Sequence, residues 1–392
     1  MQQSWSIYKY RILLLVIAVA GMTQGLLNPL LSTMLEEQGV PSIINGLSAA
    51  ALYIGIIVIA PFCAPILQRL GYQRSIFWGL VVTTCAIFLI PLMPGLWSWS
   101  VLRFFVGIGD SLLHYGTQLW ITIAAPETER GKRISLYGLM YGVGYGIGPQ
   151  GIHLLRFGEM TPFLALVGVM VIAILLVYKL DLQAQTEKHQ EKLLSVPIVR
   201  IYRLGLVALC PALIYGLLET VMAVNFPIYG LREGISKEWV SILITAFVYG
   251  SLILQVPLGT LSDRLGRKKI LVVACTIGSM GMLMVPLVGN HVYLLFMILA
   301  VTGGFVGSLF TLGLSYLTDL LPPHYLPKAN AIASVHFSVG SMIGPYMGGF
   351  FIQYLGGGSL FHFIAVVLGG FVCLALAYQP PRKEEKQIST AI

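Results

Sequence analysis

Twelve apolar runs, each about twenty residues or longer, recur between residue 12 and residue 378. A helix rising 1.5 Å per residue needs about twenty residues to cross a hydrocarbon layer roughly 30 Å thick. Lipid-exposed backbone must satisfy its own hydrogen bonds, and these runs lack the alternating polarity of barrel strands, so helix is the expected state. The expected spans are 12–34, 43–67, 73–94, 98–124, 134–156 and 161–180, then 204–229, 239–261, 269–289, 292–319, 328–354 and 359–378. Charged residues make up 10% of the chain, against about a quarter in soluble domains, and the mean hydropathy is +0.83. The chain therefore reads as an all-α integral membrane protein. Only a short basic lead with Lys9 and Arg11 precedes the first span, and no small-residue cleavage site follows, so that span is expected to be retained.

The runs fall into two sets of six that share an order of motifs. Placing Gln68–Arg74 under Asp263–Lys269 gives a shift of 195, and Gly148-Pro149 under Gly344-Pro345 gives 196. A shift held across motifs this far apart is the mark of a duplicated unit, a recurring transporter design. The expected organisation is a six-helix half over 1–180, a linker over 181–203, a second half over 204–380 and a tail over 381–392. With the N-terminus in the cytoplasm, 20 Lys and Arg lie on that side, Arg156, Arg232 and Lys237 lie outside, and Arg103 lies within a span. The reverse arrangement would violate the positive-inside rule. A multi-pass protein of the cell membrane with both termini cytoplasmic is expected. The net charge of +8 then serves topology and contact with lipid headgroups, and gives no reason to invoke nucleic acid.

Other classes lack positive signals. No P-loop occurs, and the scattered His and Cys residues form no metal or nucleophile constellation, so neither an enzyme nor a cofactor is expected. Cys63, Cys85, Cys210, Cys275 and Cys373 read as packing residues. Trp97, Trp99 and Trp239 lie near the outer span ends and read as interfacial anchors.

The segment GTLSDRLGRKK, at the cytoplasmic end of the eighth span, resembles the loop signature of the major facilitator superfamily. The resemblance implies a charge relay between helix ends that holds one conformation, involving Asp263, Arg264, Gly266, Arg267 and Lys268. The first-half copy departs from it, with Ala64, Gln68, Tyr72 and Gln73 in place of the expected glycine, acid and bases. Arg103, Gly107 and Gly109 resemble a second signature of the family. Gly144, Gly148, Pro149 and Gly151 resemble its antiporter signature, echoed by Gly340, Gly344, Pro345, Gly348 and Gly349. Glycines four apart let helices approach closely and proline removes a backbone hydrogen bond, so these segments read as packing hinges. The resemblance implies a fold of twelve helices in two pseudo-repeated halves, acting as a monomer. Within the family the chain resembles the twelve-helix drug and proton antiporters.

Only Arg103, Asp110 and Glu219 place charge well inside the spans, where ionisable groups are costly and mark function. Arg103 and Asp110 are seven residues apart, hence on one helix face about 10.5 Å apart along the axis, and His114 and Gln118 extend that face. The resemblance places the first, fourth, seventh and tenth spans around a central cavity, which adds Gln24, Asn28, Tyr215 and Phe226. Glu219 falls on Gln24 under the 195 shift. The expectation is that protonation of Glu219 competes with substrate, while Asp110 and Arg103 form a switchable pair. Tyr141, Tyr145 and Tyr249 are further aromatics available to a lipophilic or cationic substrate, though aromatic packing between helices is commoner. The expected activity is secondary active transport by alternating access, as proton-coupled export of lipophilic or cationic small molecules. A lipid or lipid-linked glycan flippase and a metabolite uptake carrier of the same fold are the alternatives.

Overall fold

The computed structural model describes residues 6–126, 129–180 and 197–378. The first half comprises α1 (Ile7–Glu37), α2 (Ser42–Leu70), α3 (Tyr72–Leu89), α4 (Leu96–Ala124), α5 (Arg130–Ile147) and α6 (Thr161–Tyr178). The second comprises α7 (Ile198–Arg232), α8 (Lys237–Leu265), α9 (Arg267–Val288), α10 (Val292–Val306), α11 (Leu309–Leu320), α12 (Leu326–Leu355) and α13 (Ser359–Ala377). α10 and α11 together form the tenth span, broken at Gly307-Ser308, so the described helices account for twelve spans. α5 tightens into a 3₁₀ segment, Gly148–Phe157, at the Gly-Pro pair expected to bend it. α7 starts at Ile198, so residues 198–203 of the expected linker are already helical. Residues 181–196 and the tail lie outside the described residues.

Nine of the described spans are long and apolar enough to cross a membrane on those grounds alone. The other three are α4, α5 and α12. α4 carries Arg103 and Asp110, and α5 and α12 carry the glycine motifs, so these helices give up apolar surface for interior contacts.

The repeat is written into the backbone contacts. A Cβ on Gly21 would overlap the Tyr141 carbonyl oxygen, and one on Gly216, 195 residues on, would overlap that of Phe337, 196 residues beyond Tyr141. Gly144 against Ala18 repeats as Gly340 against Leu213, Gly55 against Phe104 as Gly250 against Ala300, and Gly107 against Leu52 as Gly303 against Phe247. The α1–α5 and α2–α4 pairs of the first half thus recur as α7–α12 and α8–α10. The buried apolar residues form one cluster between Tyr10 and Leu180 and another between Ile201 and Ala375.

Several bonds join the halves at the end holding the α1–α2 and α7–α8 loops. Arg232 Nε donates to Glu36 Oε1 at 2.7 Å, and its Nη2 donates to Glu36 Oε2 at 3.1 Å and to Ser42 Oγ at 2.7 Å. Lys237 pairs with Glu37 at 2.5 Å. Gln150 Nε2 donates to Thr245 Oγ1 at 2.7 Å, Thr245 donates to the Gly146 carbonyl at 2.9 Å, and the Ile43 amide donates to Gln353 Oε1 at 3.2 Å. Ser32 Oγ donates to the Val224 carbonyl. Towards the other end the same helices part: Gly138 on α5 and Gly259 on α8 have open space where a Cβ would stand. There Val58 and Phe62 of α2 and Val335 of α12 are exposed. The bundle is sealed at one end and splayed at the other.

The Arg232–Glu36 pair is two-pronged and Glu36 is only 14% exposed, so its loss is expected to cost about 1 kcal/mol or more, and Arg232→Ala to shift the sealed population about fivefold or more while leaving the fold intact. Electron–electron distance measurements between spin labels at Gln38 and Glu233 read that shift as a growing long-distance component.

Two expected roles are corrected. Trp99 is buried, with its indole N–H donating to the Ile90 carbonyl at 2.9 Å, so it caps the end of α3 and is not an interfacial anchor. Cys85 and Cys373 are exposed on the bundle surface, whereas Cys63 and Cys275 are buried and Cys210 is half-buried against the second-half core, so only these three are packing residues.

Candidate functional site

α1, α4 and α5 assemble a polar shelf in the first half. Gln24 Nε2 donates to Asp110 Oδ2, and Gln24 Oε1 accepts the Tyr141 hydroxyl at 3.0 Å, which fixes the way the amide points. Asp110 Oδ1 lies 3.7 Å from His114 Nε2, one helical turn along α4. His114 Nδ1 lies 2.8 Å from the Tyr137 hydroxyl, and its ring meets that of Tyr141 edge-on with centroids 5.0 Å apart. The i, i+4 spacing on α4 turns Asp110 and His114 to one face.

The expected pairing of Asp110 with Arg103 is not formed. Arg103 is wholly buried between α4 and α2, where Nη1 donates to Ser48 Oγ at 3.1 Å. Ser48 also accepts the Ser100 hydroxyl at 3.0 Å. The seven-residue separation leaves Arg103 two turns from Asp110, and its side chain points to α2. Ser48 was not foreseen from sequence, because it lies on a span with no charge and no motif at that level.

The second half answers the polar shelf with an aromatic one. Applying the same shifts, Gln24 becomes Glu219, Asp110 becomes Val306, His114 becomes Phe310 and Tyr141 becomes Phe337. Phe310 and Phe337 meet edge-on at 5.7 Å, as His114 and Tyr141 do, and Tyr215 stacks on Phe337 at 5.9 Å. Glu219 has consequently lost the partners its counterpart enjoys. It makes no hydrogen bond or ion pair among the described residues, and lies within electrostatic reach of the phenols of Tyr53, Tyr141, Tyr145 and Tyr215. Glu219, Tyr215, Phe310, Phe337, Tyr141 and His114 are all only partly buried on interior faces, as expected of groups lining a cavity. Phe310 and Phe337 were missed from sequence, although the 196 shift applied to His114 and Tyr141 points to both. The break in the tenth span, at Gly307-Ser308, adjoins Val306, on the level of Asp110.

Other expected residues lie elsewhere. Phe226 is wholly buried against Tyr229 and Phe361, with centroids at 6.2 and 6.4 Å, so it packs α7 against α13 and does not line the cavity. Asn28 is buried, with Nδ2 donating to the Tyr53 hydroxyl at 3.4 Å, and ties α1 to α2 without lining the cavity. Gln118, a turn beyond His114, is exposed towards the splayed end. Tyr249 crosses to the first half, its hydroxyl donating to the Val143 carbonyl at 3.4 Å.

The loop motif builds a clasp within the second half. Arg267 pairs with Asp263 at 2.7 Å and with Asp319, at the end of α11, at 3.2 Å. Lys268 donates to the Tyr378 carbonyl at 2.6 Å. Its first-half counterpart Gln73 donates to the Val177 and Tyr178 carbonyls at 3.2 and 3.0 Å, so the amide keeps the tether after the charge is lost. Arg264 and Gly266 close the end of α8, with Gly266 at φ 98°, where a side chain would be strained. Asp319 was not foreseen, since it belongs to no motif. Pro345 stays inside a continuous α12, and its carbonyl accepts from Asn225 Nδ2 at 3.1 Å.

The geometry can be set beside known proteins. The profile described as Major Facilitator Superfamily matches residues 13–242 and 208–391. The chain is 37% identical over 379 residues, 96% of either chain, to the uncharacterized MFS-type transporter YfkF of Bacillus subtilis (strain 168). It is 24% identical to the uncharacterized MFS-type transporter Ent638_1421 of Enterobacter sp. (strain 638), covering 92% of this chain and 94% of that one. Among solved structures, a D-xylose-proton symporter superposes with a TM-score of 0.76 at 15% identity, covering 96% of this chain and 98% of its own. The nucleoside transporter NupG superposes with a TM-score of 0.75 at 11% identity, covering 95% and 100%. With the profile spanning nearly the whole sequence and a relative this similar end to end, the chain belongs to the major facilitator superfamily.

Proposed function

We propose that this secondary transporter exports a lipophilic cation in exchange for protons, with Glu219 carrying either the cation or a proton but not both. The observation that carries the reading is the lone carboxylate. A partly buried acid deep in the membrane, walled by aromatic rings and without a partner, is costly as an anion, so it holds a proton or a bound cation. The aromatic wall of Tyr215, Phe310 and Phe337 offers an apolar body and π-faces to such a cation. With the basic loops in the cytoplasm, the splayed end opens inward, so the protein takes substrate from the cytoplasm in this conformation. Protons, a small-molecule substrate and the surrounding lipids are its partners, and one chain suffices because both halves of the rocking unit are present.

The test is proton movement in proteoliposomes holding a pH dye, with ethidium, tetraphenylphosphonium, neutral drugs and lysolipids added in turn. The expected result is proton counterflow with the cations, at least several times that of protein-free liposomes. The polar shelf of Gln24, Asp110 and His114 favours a second reading, uptake of a hydroxyl-rich metabolite, which would move protons in the same direction as the solute. Lysolipid movement without any proton signal would instead overturn both in favour of a flippase.

A further inference from the structure

We propose that Asp110 and His114 form a second proton-binding site, separate from Glu219 and filled through His114, so that one cycle exchanges the substrate for two protons. The inference rests on the proton-coupled reading above. Asp110 is 3% exposed while His114 is 25% exposed, so the imidazole meets the cavity and the carboxylate does not. Gln24 occupies Oδ2, leaving Oδ1 as the oxygen facing His114. In the tautomer that carries its proton on Nδ1, neutral His114 donates to the Tyr137 hydroxyl at 2.8 Å and keeps the Nε2 lone pair on the side of Oδ1, 3.7 Å away. A hydronium ion in the cavity gives its proton to Nε2, releasing water and making His114 an imidazolium; transfer then breaks that Nε2–H bond, forms the Oδ1–H bond, and returns His114 to its neutral form, ready for the next proton.

The surroundings leave this pair to settle its own charge. Arg103, the only Lys or Arg on α4, is bonded to Ser48 and forms no ion pair with Asp110. α1 contributes Gln24, α3 abuts α4 through Gly79 and Thr83, α2 contributes the Tyr53 phenol, and α5 contributes Tyr137 and Tyr141. From α7 come Tyr215 and Glu219, and Tyr141 alone is bonded into the shelf while in electrostatic reach of both carboxylates. With one proton the pair is neutral, and with none it leaves a buried anion in a medium that penalises one. The repeat argues for independence: the counterparts of Asp110 and His114 are Val306 and Phe310, so each half holds one carboxyl well inside its spans and neither duplicates the other.

The test needs no substrate. Infrared difference spectra of the full chain in liposomes, recorded across a pH titration, are expected to show two protonated-carboxyl bands. Glu219→Gln should remove one and leave the other, and Asp110→Asn should do the reverse. His114→Asn should keep both bands and move the titration of only the band that Asp110→Asn removes, which a merely structural histidine would not do. If Glu219→Gln removes every titrating carboxyl band, the second site is wrong and the exchange reading stands. If wild type shows no titrating band, both fall. Should Asp110→Asn fail to fold, the Glu219→Gln spectrum decides alone.

Discussion

Glu219→Gln is expected to abolish proton-driven accumulation while leaving a folded protein. A positioned proton-transfer group contributes about 10²-fold or more to a step that needs it, and uphill transport should fall by at least that factor, to the passive leak. The amide matches the carboxyl in shape and has an equivalent at the related position, Gln24, so packing gives no reason for unfolding. What it lacks is the pair of states that coupling requires. A carboxyl can be neutral with a proton and anionic towards a cation, whereas an amide is neutral throughout and cannot trade one for the other. Glu219→Asp should retain coupling at a reduced rate, because it keeps the chemistry and shortens the reach by one methylene. The measurement is dye-reported proton counterflow against ethidium in proteoliposomes. Full counterflow in Glu219→Gln would sink the assignment, since Glu219 is the one carboxyl well inside the spans of the second half among the described residues.

The fold was legible because membrane insertion imposes length on every span, and length is written directly in sequence. With the 3₁₀ continuation of α5 to Phe157 counted in its span, expected and observed span ends differ by six residues or fewer. The longest disagreement, at the start of α7, arises because Arg200 and Arg203 interrupt the apolar pattern without interrupting the helix. The site was half legible. Charge inside a span identified Asp110, Arg103 and Glu219, but a charge does not announce its partner. Arg103 turned to a serine on α2, and Asp110 found an amide and an imidazole, because rotation about the α4 axis decides which neighbour a side chain meets. Phe226 was misplaced for the same reason: its seven-residue separation from Glu219 suggests a shared face, yet α7 is in contact with α13 as well as the cavity. The aromatic shelf carried no anomaly of composition, since phenylalanine is common in any span. Only the repeat exposes it, by asking what stands where the first half has His114 and Tyr141.

The glycine seams make the second large effect. Gly144→Ala and Gly340→Ala are each expected to destabilise the protein by about 1–3 kcal/mol or more, the range for overpacking a close-packed interior. At both positions the new methyl would strike backbone, the Ala18 carbonyl in one case and the Leu213 carbonyl in the other, so no side chain can rotate away to make room. The helices must separate along the seam, and with them the hydrogen bonds of the shelf, because Tyr141 lies on α5 less than one turn from Gly144 and its partner Gln24 lies on α1. Gly168→Ala on α6 serves as the control. It meets no atom within 4 Å, and as a surface change it should fall within about 0.5 kcal/mol of wild type. Thermal unfolding in detergent, read by intrinsic fluorescence and by retention of a monodisperse peak, ranks the three. The related seam positions should lose comparable stability, since they make the same contact twice. A destabilisation at Gly144 with none at Gly340 would mean that the two halves, alike in backbone, are not alike in how tightly their hinge helices are held.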